Sequence, residues 1–175
     1  MDEAPPTSVR PAREAEIPAL RSVEVDAGRR FVDVGMAYVA GDEAPPLEWF
    51  RERLAAGRLW VAPGPTGEVV GYAAASEVDG EGHLDQVSVL ASYSGRGIGR
   101  ALVSAVADWA RACGHDAVTL TTYRDVRWNG PWYRTLGFVD LDEEELGPEL
   151  AAIRLAEAAR GLDRHPRTAM RQVLA

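Results

Sequence analysis

Residues 93–114, YSGRGIGRALVSAVADWARACG, set three glycines within five positions directly before a regular amphipathic segment. Ile98, Ala101, Leu102, Ala105, Val106, Trp109, Ala110 and Cys113 recur at helical spacing, and Gly114 follows as a stop. This pattern predicts a helix with one buried face that includes Cys113. The helix starts inside the glycine loop, so its first N–H groups have no intrahelical acceptor and form an anion site. Glycine lets the backbone approach a phosphate closely, and Arg96 and Arg100 add positive charge. Two familiar nucleotide patterns fail here. A G-x-G-x-x-G fingerprint read from Gly95 meets Arg100 at its last position, and read from Gly97 it meets Leu102. A P-loop needs Gly-Lys, and the chain has no lysine.

The surrounding pattern predicts how this helix is housed. Residues 7–11 read as a short strand, 12–24 as a helix with Ile17, Leu20 and Val23 on one face, and 47–56 as a second helix closed by Gly57. Residues 59–62, 69–76 and 83–90 are three β-compatible runs separated by the turn signals PGPTGE and VDGEG, an antiparallel meander. The strand before the glycine loop therefore belongs to a meander rather than to a dinucleotide-binding βαβ unit. Residues 117–122 form a further strand, and WNGPWYRTLGF gives a short helix stopped by Gly137 with a strand beginning at Phe138. Residues 142–160 read as an added helix and 168–174 as a terminal strand, and there is no internal repeat.

At 175 residues the chain is expected to form one domain, with residues 1–6 a disordered start and 142–175 an addition at the end. Acidic residues outnumber basic ones 27 to 19, for a net charge of −8, which argues against nucleic acid and suits a cationic small partner or simply solubility. No run of about 18 apolar residues is present to span a bilayer, so no membrane partner is expected. Cys113 is the only cysteine, leaving no disulfide framework and no thiolate set for zinc, and no metal is expected. The first residues lack the basic and apolar parts of an export signal, and the expected location is the cytoplasm.

These residues resemble the GNAT superfamily of acyl-CoA-dependent N-acyltransferases. Ser94, Gly95, Arg96, Gly97, Ile98 and Gly99 match its [Q/R]-x-x-G-x-[G/A] pattern at both glycines, with Ser94 departing at the first position. Tyr133 to Phe138 matches its Y-x-x-x-G-F, and VRPA at Val9 its first strand, so that the resemblance spans residues 7–140 in element order. It implies an α/β (α+β) fold with a mixed, mostly antiparallel sheet of about seven strands flanked by helices. It also implies acetyl-CoA as co-substrate, its pyrophosphate on the N–H groups from Ser94 to Arg100. The pantetheine arm would pair with the main chain of Val87, Ser88 and Val89, the N–H of Val87 or Val89 serving as oxyanion donor. Tyr133 would protonate the departing thiolate.

For the base that deprotonates the acceptor amine, the resemblance favours Asp85 on the preceding strand, where alternation sets it on one face with His83, Val87 and Val89. The alternatives are His83, otherwise a surface histidine, and an ordered-water path. Asn129 is read either as a contact to the CoA arm or as a helix N-cap. Trp128 and Trp132 line an acceptor pocket or belong to the core. Glu24, Asp26, Phe31, Met36 and Tyr38 fall where the family builds its acceptor site, and an acidic pair among aromatics suits a cationic amine. The expected function is direct acetyl transfer to the primary amine of a small molecule. The alternatives are a non-catalytic acyl-CoA-binding sensor or scaffold and a protein N-terminal acetylase. A homodimer formed through residues 142–174 is possible on the same resemblance.

Overall fold

The computed structural model describes residues 8–175. The expected disordered start and the first residue of the expected opening strand lie outside them. Within them the chain forms β1 (Arg10–Pro11), α1 (Ile17–Gly28), α2 (Ala37–Ala40), α3 (Leu47–Ala55), β2 (Leu59–Pro63), β3 (Val69–Val78), β4 (Glu81–Val89), α4 (Ile98–Ala112), β5 (Ala117–Tyr123), α5 (Gly130–Thr135), β6 (Val139–Leu141), α6 (Pro148–Ala159) and β7 (Arg167–Val173). The sheet has seven strands in the order β1-β2-β3-β4-β5-β7-β6. The pairs β1/β2, β2/β3, β5/β7 and β6/β7 are antiparallel, whereas β4 and β5 run parallel. This is the mixed, mostly antiparallel α/β (α+β) sheet of about seven strands that the family resemblance implies.

Packing divides the chain into two compact units, one of residues up to Ala75 with Gln86–Val106, the other of Ser76–Asp85 with Ala107–Ala175. In the first, Ile17, Leu20 and Val23 of α1 pack with Phe50 of α3 and with Leu59, Val61, Tyr72 and Ala74 of the sheet. Ile98 and Leu102 of α4 lie against Gly71, where a Cβ would meet Ser88 O at 3.1 Å and Leu102 Cδ1 at 3.2 Å. A side chain there would require Ser88, Leu102 or Ile98 to give way by a few tenths of an ångström. In the second unit Val78, Leu150 and Ala169 form a core cluster.

Three expectations change. The first helix is displaced: residues 14–16 form a 3-10 turn and α1 runs from Ile17 to Gly28, because the Arg10 guanidinium and the Arg13 N–H hold the Glu16 carboxylate at the entrance. The last helix is shorter. Asp142 and Glu145 cap a separate 3-10 turn, and α6 starts only at Pro148. Its N-terminus is closed by Asp79, from the turn between β3 and β4, whose carboxylate accepts the N–H of Glu149 and of Leu150, both at 2.9 Å. Cys113 is exposed, because α4 ends at Ala112 and the buried stripe ends at Ala110.

Candidate active site

The glycine loop is built by its backbone. Gly95 and Gly97 take φ of +77° and +80°, with open space where a Cβ would stand, so conformation rather than crowding demands glycine. The Ala101 N–H donates to the Gly97 carbonyl at 3.0 Å, which leaves the N–H groups of Ile98, Gly99 and Arg100 at the head of α4 without an intrahelical acceptor. Ser94, Arg96 and Arg100 are exposed, Gly99 is half-buried and Ile98 is buried as the loop's anchor. Arg96 is not loose: it donates to the Ser92 carbonyl at 3.1 Å and its guanidinium lies 4.9 Å above the Tyr93 ring. The Tyr93 hydroxyl donates in turn to Glu68 at 3.0 Å.

In the same unit α1 carries Glu24 against β3 and β4. Its carboxylate accepts Tyr72 OH at 2.7 Å, Ser88 Oγ at 2.5 Å and Gln86 Nε2 at 3.0 and 3.3 Å. Burial, then the Glu24 charge and hydrogen bond, push the Tyr72 phenol well above its ordinary value, so it stays a donor. Sequence reasoning named Glu24 and missed Tyr72 and Gln86. The signal for Tyr72 was a single polar-tipped aromatic inside the small apolar run VVGYAAA. Ser88, expected to act through its main chain, is 5% exposed and spends its side chain on Glu24.

The other expected acceptor residues separate. Asp26 accepts the Ala91 N–H at 2.8 Å and pairs with Arg29 at 3.7 Å, fastening the end of α1 to the turn before the glycine loop. Phe31 and Tyr38 are half-buried, whereas Met36 is 1% exposed and is packing rather than an open wall. The backbone explains Met36: its N–H donates to Phe31 O and its carbonyl accepts from Val39, which turns the side chain inward between a 3-10 segment and α2.

In the second unit Asp85 accepts Ser76 Oγ at 2.7 Å. His83 is 3% exposed and its Nδ1 lies 2.8 Å from Thr119 Oγ1, which corrects the surface-histidine reading: the parallel neighbour β5 covers it. A turn at residues 79 and 80 would set Val70 opposite Val89, yet the Leu90 N–H reaches the Val70 carbonyl at 2.9 Å, so one extra residue is taken up before Leu90. Val87 and Val89 are half-buried.

Tyr133 is buried on α5, edge-on to Phe138 with ring centroids 5.7 Å apart, which gives the spacing of Y-x-x-x-G-F a packing cause. Burial pushes its phenol far above the ordinary tyrosine value. Asn129 stands at the N-cap position of α5, but its side chain makes no capping bond, and its Oδ1 is buried without a hydrogen-bond partner. The N-cap reading is thus corrected: the residue's ψ of −113° turns the amide away from the first turn. Trp128 is half-buried. Among the described residues no group of three or more His, Cys, Asp or Glu side chains is placed to hold a metal, and no helix is long and apolar enough to cross a membrane.

Solved structures of the same fold are numerous. Rv2747 from Mycobacterium tuberculosis, solved in complex with CoA and NLQ, matches with a TM-score of 0.73 and 22% identity over 96% of this chain and 99% of that one. An acetyltransferase of the GNAT family from Staphylococcus aureus Mu50 matches with a TM-score of 0.75 and 15% identity over 96% and 99%. The ribosomal-protein-alanine N-acetyltransferase from Brucella melitensis gives 0.67 and 22% over 95% and 99%. At such identities the likeness is one of fold. The sequence pattern of the acetyltransferase (GNAT) family matches residues 27–138, from the end of α1 through the glycine loop to Phe138, and the chain belongs to that family.

Proposed function

We propose that this acetyltransferase moves an acetyl group from acetyl-CoA directly to the primary amine of a small molecule. The observation that carries the reading is the exposed head of α4, where N–H groups without intrahelical acceptors meet a loop whose two left-handed glycines leave open space. Ser94, Gly95, Arg96, Gly97, Ile98, Gly99 and Arg100 hold the pyrophosphate there, by main-chain N–H groups and by the two arginines. Asn129, whose Oδ1 is buried without a hydrogen-bond partner, is assigned to the pantetheine arm on the family resemblance. The CoA in the Mycobacterium tuberculosis structure of like fold agrees with it.

The main chain of Val87, Ser88 and Val89 pairs with the arm, and the N–H of Val87 or Val89 stabilises charge developing on the thioester oxygen. An alkylammonium of pKa about 10 must lose a proton before it attacks, at a cost of about 4 kcal/mol at pH 7. Asp85, held by Ser76, takes that proton. The amine nitrogen bonds to the carbonyl carbon, the carbon–sulfur bond breaks, and Tyr133 donates its hydroxyl proton to the sulfur. A buried phenol is a weak acid, but burial raises a thiol in the same direction, so the transfer stays balanced.

Calorimetric titration with acetyl-CoA, alongside thiol release over amines, amino acids and short peptides, tests the proposal. Micromolar binding with release for small amines is expected, and Tyr133→Phe should lower kcat about 100-fold. Binding without release for any acceptor would favour a non-catalytic sensor. Release for peptides alone would favour an N-terminal acetylase.

A further inference from the structure

Two carboxylates near the end of α1 close on successive points of the chain that leads into the glycine loop. Glu24 accepts Gln86 Nε2 at 3.0 Å and Ser88 Oγ at 2.5 Å, and Gln86 Nε2 also lies 3.1 Å from Ser88 Oγ. Asp26, two residues on, accepts the Ala91 N–H at 2.8 Å. Gln86 and Ser88 alternate along β4, so their side chains leave the same face, and the main chain of Val87 is pinned from both sides. This hold falls where the ladder is irregular. β4 pairs with β5 at Gly82 and His83, near its start, and on the β3 side one extra residue is taken up before Leu90. Tyr72 of β3, fully buried, donates to the same carboxylate at 2.7 Å, so Glu24 is held from β3 and β4 together. Glu24, Asp26, Tyr72, residues 86–91 and the glycine loop all belong to one compact unit.

We infer that Glu24 is a positioning residue for the cofactor: it acts through Gln86 and Ser88 to set the main chain of Val87 and Val89, while Asp26 sets the turn that follows. This rests on the reading in which the pantetheine arm of acetyl-CoA pairs with that main chain. An N–H donor contributes most when its direction is fixed before the ligand arrives, and a misplacement of about 1 Å can cost about 100-fold. The two carboxylates expected at the acceptor site thus serve the cofactor's backbone partners instead.

Calorimetric titration tests this with two probes, acetyl-CoA and ADP, the second carrying the adenosine and pyrophosphate of the cofactor without the arm. Glu24→Ala should weaken acetyl-CoA at least about fivefold and leave ADP within about twofold of wild type. Glu24→Gln, whose amide oxygen still accepts from Ser88 and Tyr72, should bring acetyl-CoA back to within about twofold. Ser88→Ala keeps the Glu24–Tyr72 bond and should show the same contrast at about threefold, which serves where Glu24→Ala does not fold. Acetyl-CoA binding that neither alanine variant weakens, weakening of both probes alike, or a Glu24→Gln protein as poor as Glu24→Ala would overturn the inference alone. A wild type that binds neither probe would instead sink the acetyltransferase reading of the site, and the inference with it.

Discussion

Glu24 on α1 and Glu157 on α6 are both half-buried glutamates on helices, each touching a hydroxyl of the sheet, yet their surroundings are opposite. Glu157 accepts Thr121 Oγ1, Arg154 Nη1 at 2.7 Å and Arg167 Nη2 at 3.1 Å, and Arg154 continues to Asp163 at 3.2 Å. Its charge is cancelled twice over, and Arg167, whose side chain is 9% exposed, also stacks 4.5 Å over Tyr123. Glu24 accepts directly from hydroxyls and an amide, with the Arg53 charge acting on Tyr72 beside it. A carboxylate bound by cations ties elements together. One bound by hydroxyls and an amide orders those groups around it instead.

The comparison breaks most readily at Glu157. Glu157→Gln should cost about 3 kcal/mol in urea unfolding, since it takes the carboxylate from the buried Arg167 guanidinium and leaves Arg154 with Asp163 alone, while KM and kcat for the acceptor stay within about twofold. A fall in activity without loss of stability would mean that Glu157 too belongs to a site.

Alkaline pH probes the Glu24 side. Burial holds the Tyr72 and Tyr133 protons in the folded chain above the ordinary phenol value of 10, while the unfolded chain releases them near it. Their stabilisation is complete below pH 10 and is lost as pH rises towards the folded values, at about 1 kcal/mol per phenol by pH 11. Tyr72→Phe should flatten that slope in unfolding curves taken from pH 9 to 11, and an unchanged slope would show that Tyr72 is not held protonated.

Asp79 sharpens the contrast as a third case, a carboxylate with neutral donors that is nonetheless structural because the donors are the first amides of α6. Asp79→Ala should cost about 1 kcal/mol and leave acceptor binding untouched. The smallest effect is the stability of Glu24→Gln itself, about 0.5 kcal/mol by thermal unfolding, because a glutamine oxygen can still accept from Tyr72 and Ser88. A loss as large as that of Glu157→Gln would place both glutamates among the glue.

Much of the fold and one part of the site were legible in advance. The meander, α4 and the short helix before Gly137 follow from hydrophobic period and turn residues, which are properties of neighbouring positions. The beginning of α6 was not, because Asp79, about seventy residues earlier in the chain, supplies its cap. The buried His83 was hidden for a like reason, its cover coming from β5 at Thr119.

The sequence by itself determined the glycine loop. It is local, since positive φ at Gly95 and Gly97 and a helix's unbonded first amides need no distant partner. Only the tertiary structure decided which partners each acidic residue would meet. Glu24 and Asp26 are equivalent on paper, but one meets Tyr72, Gln86 and Ser88, 48 to 64 positions away, and the other closes on the Ala91 N–H. What a carboxylate can do depends on the partners that folding brings within about 3 Å, and residue type alone does not specify them.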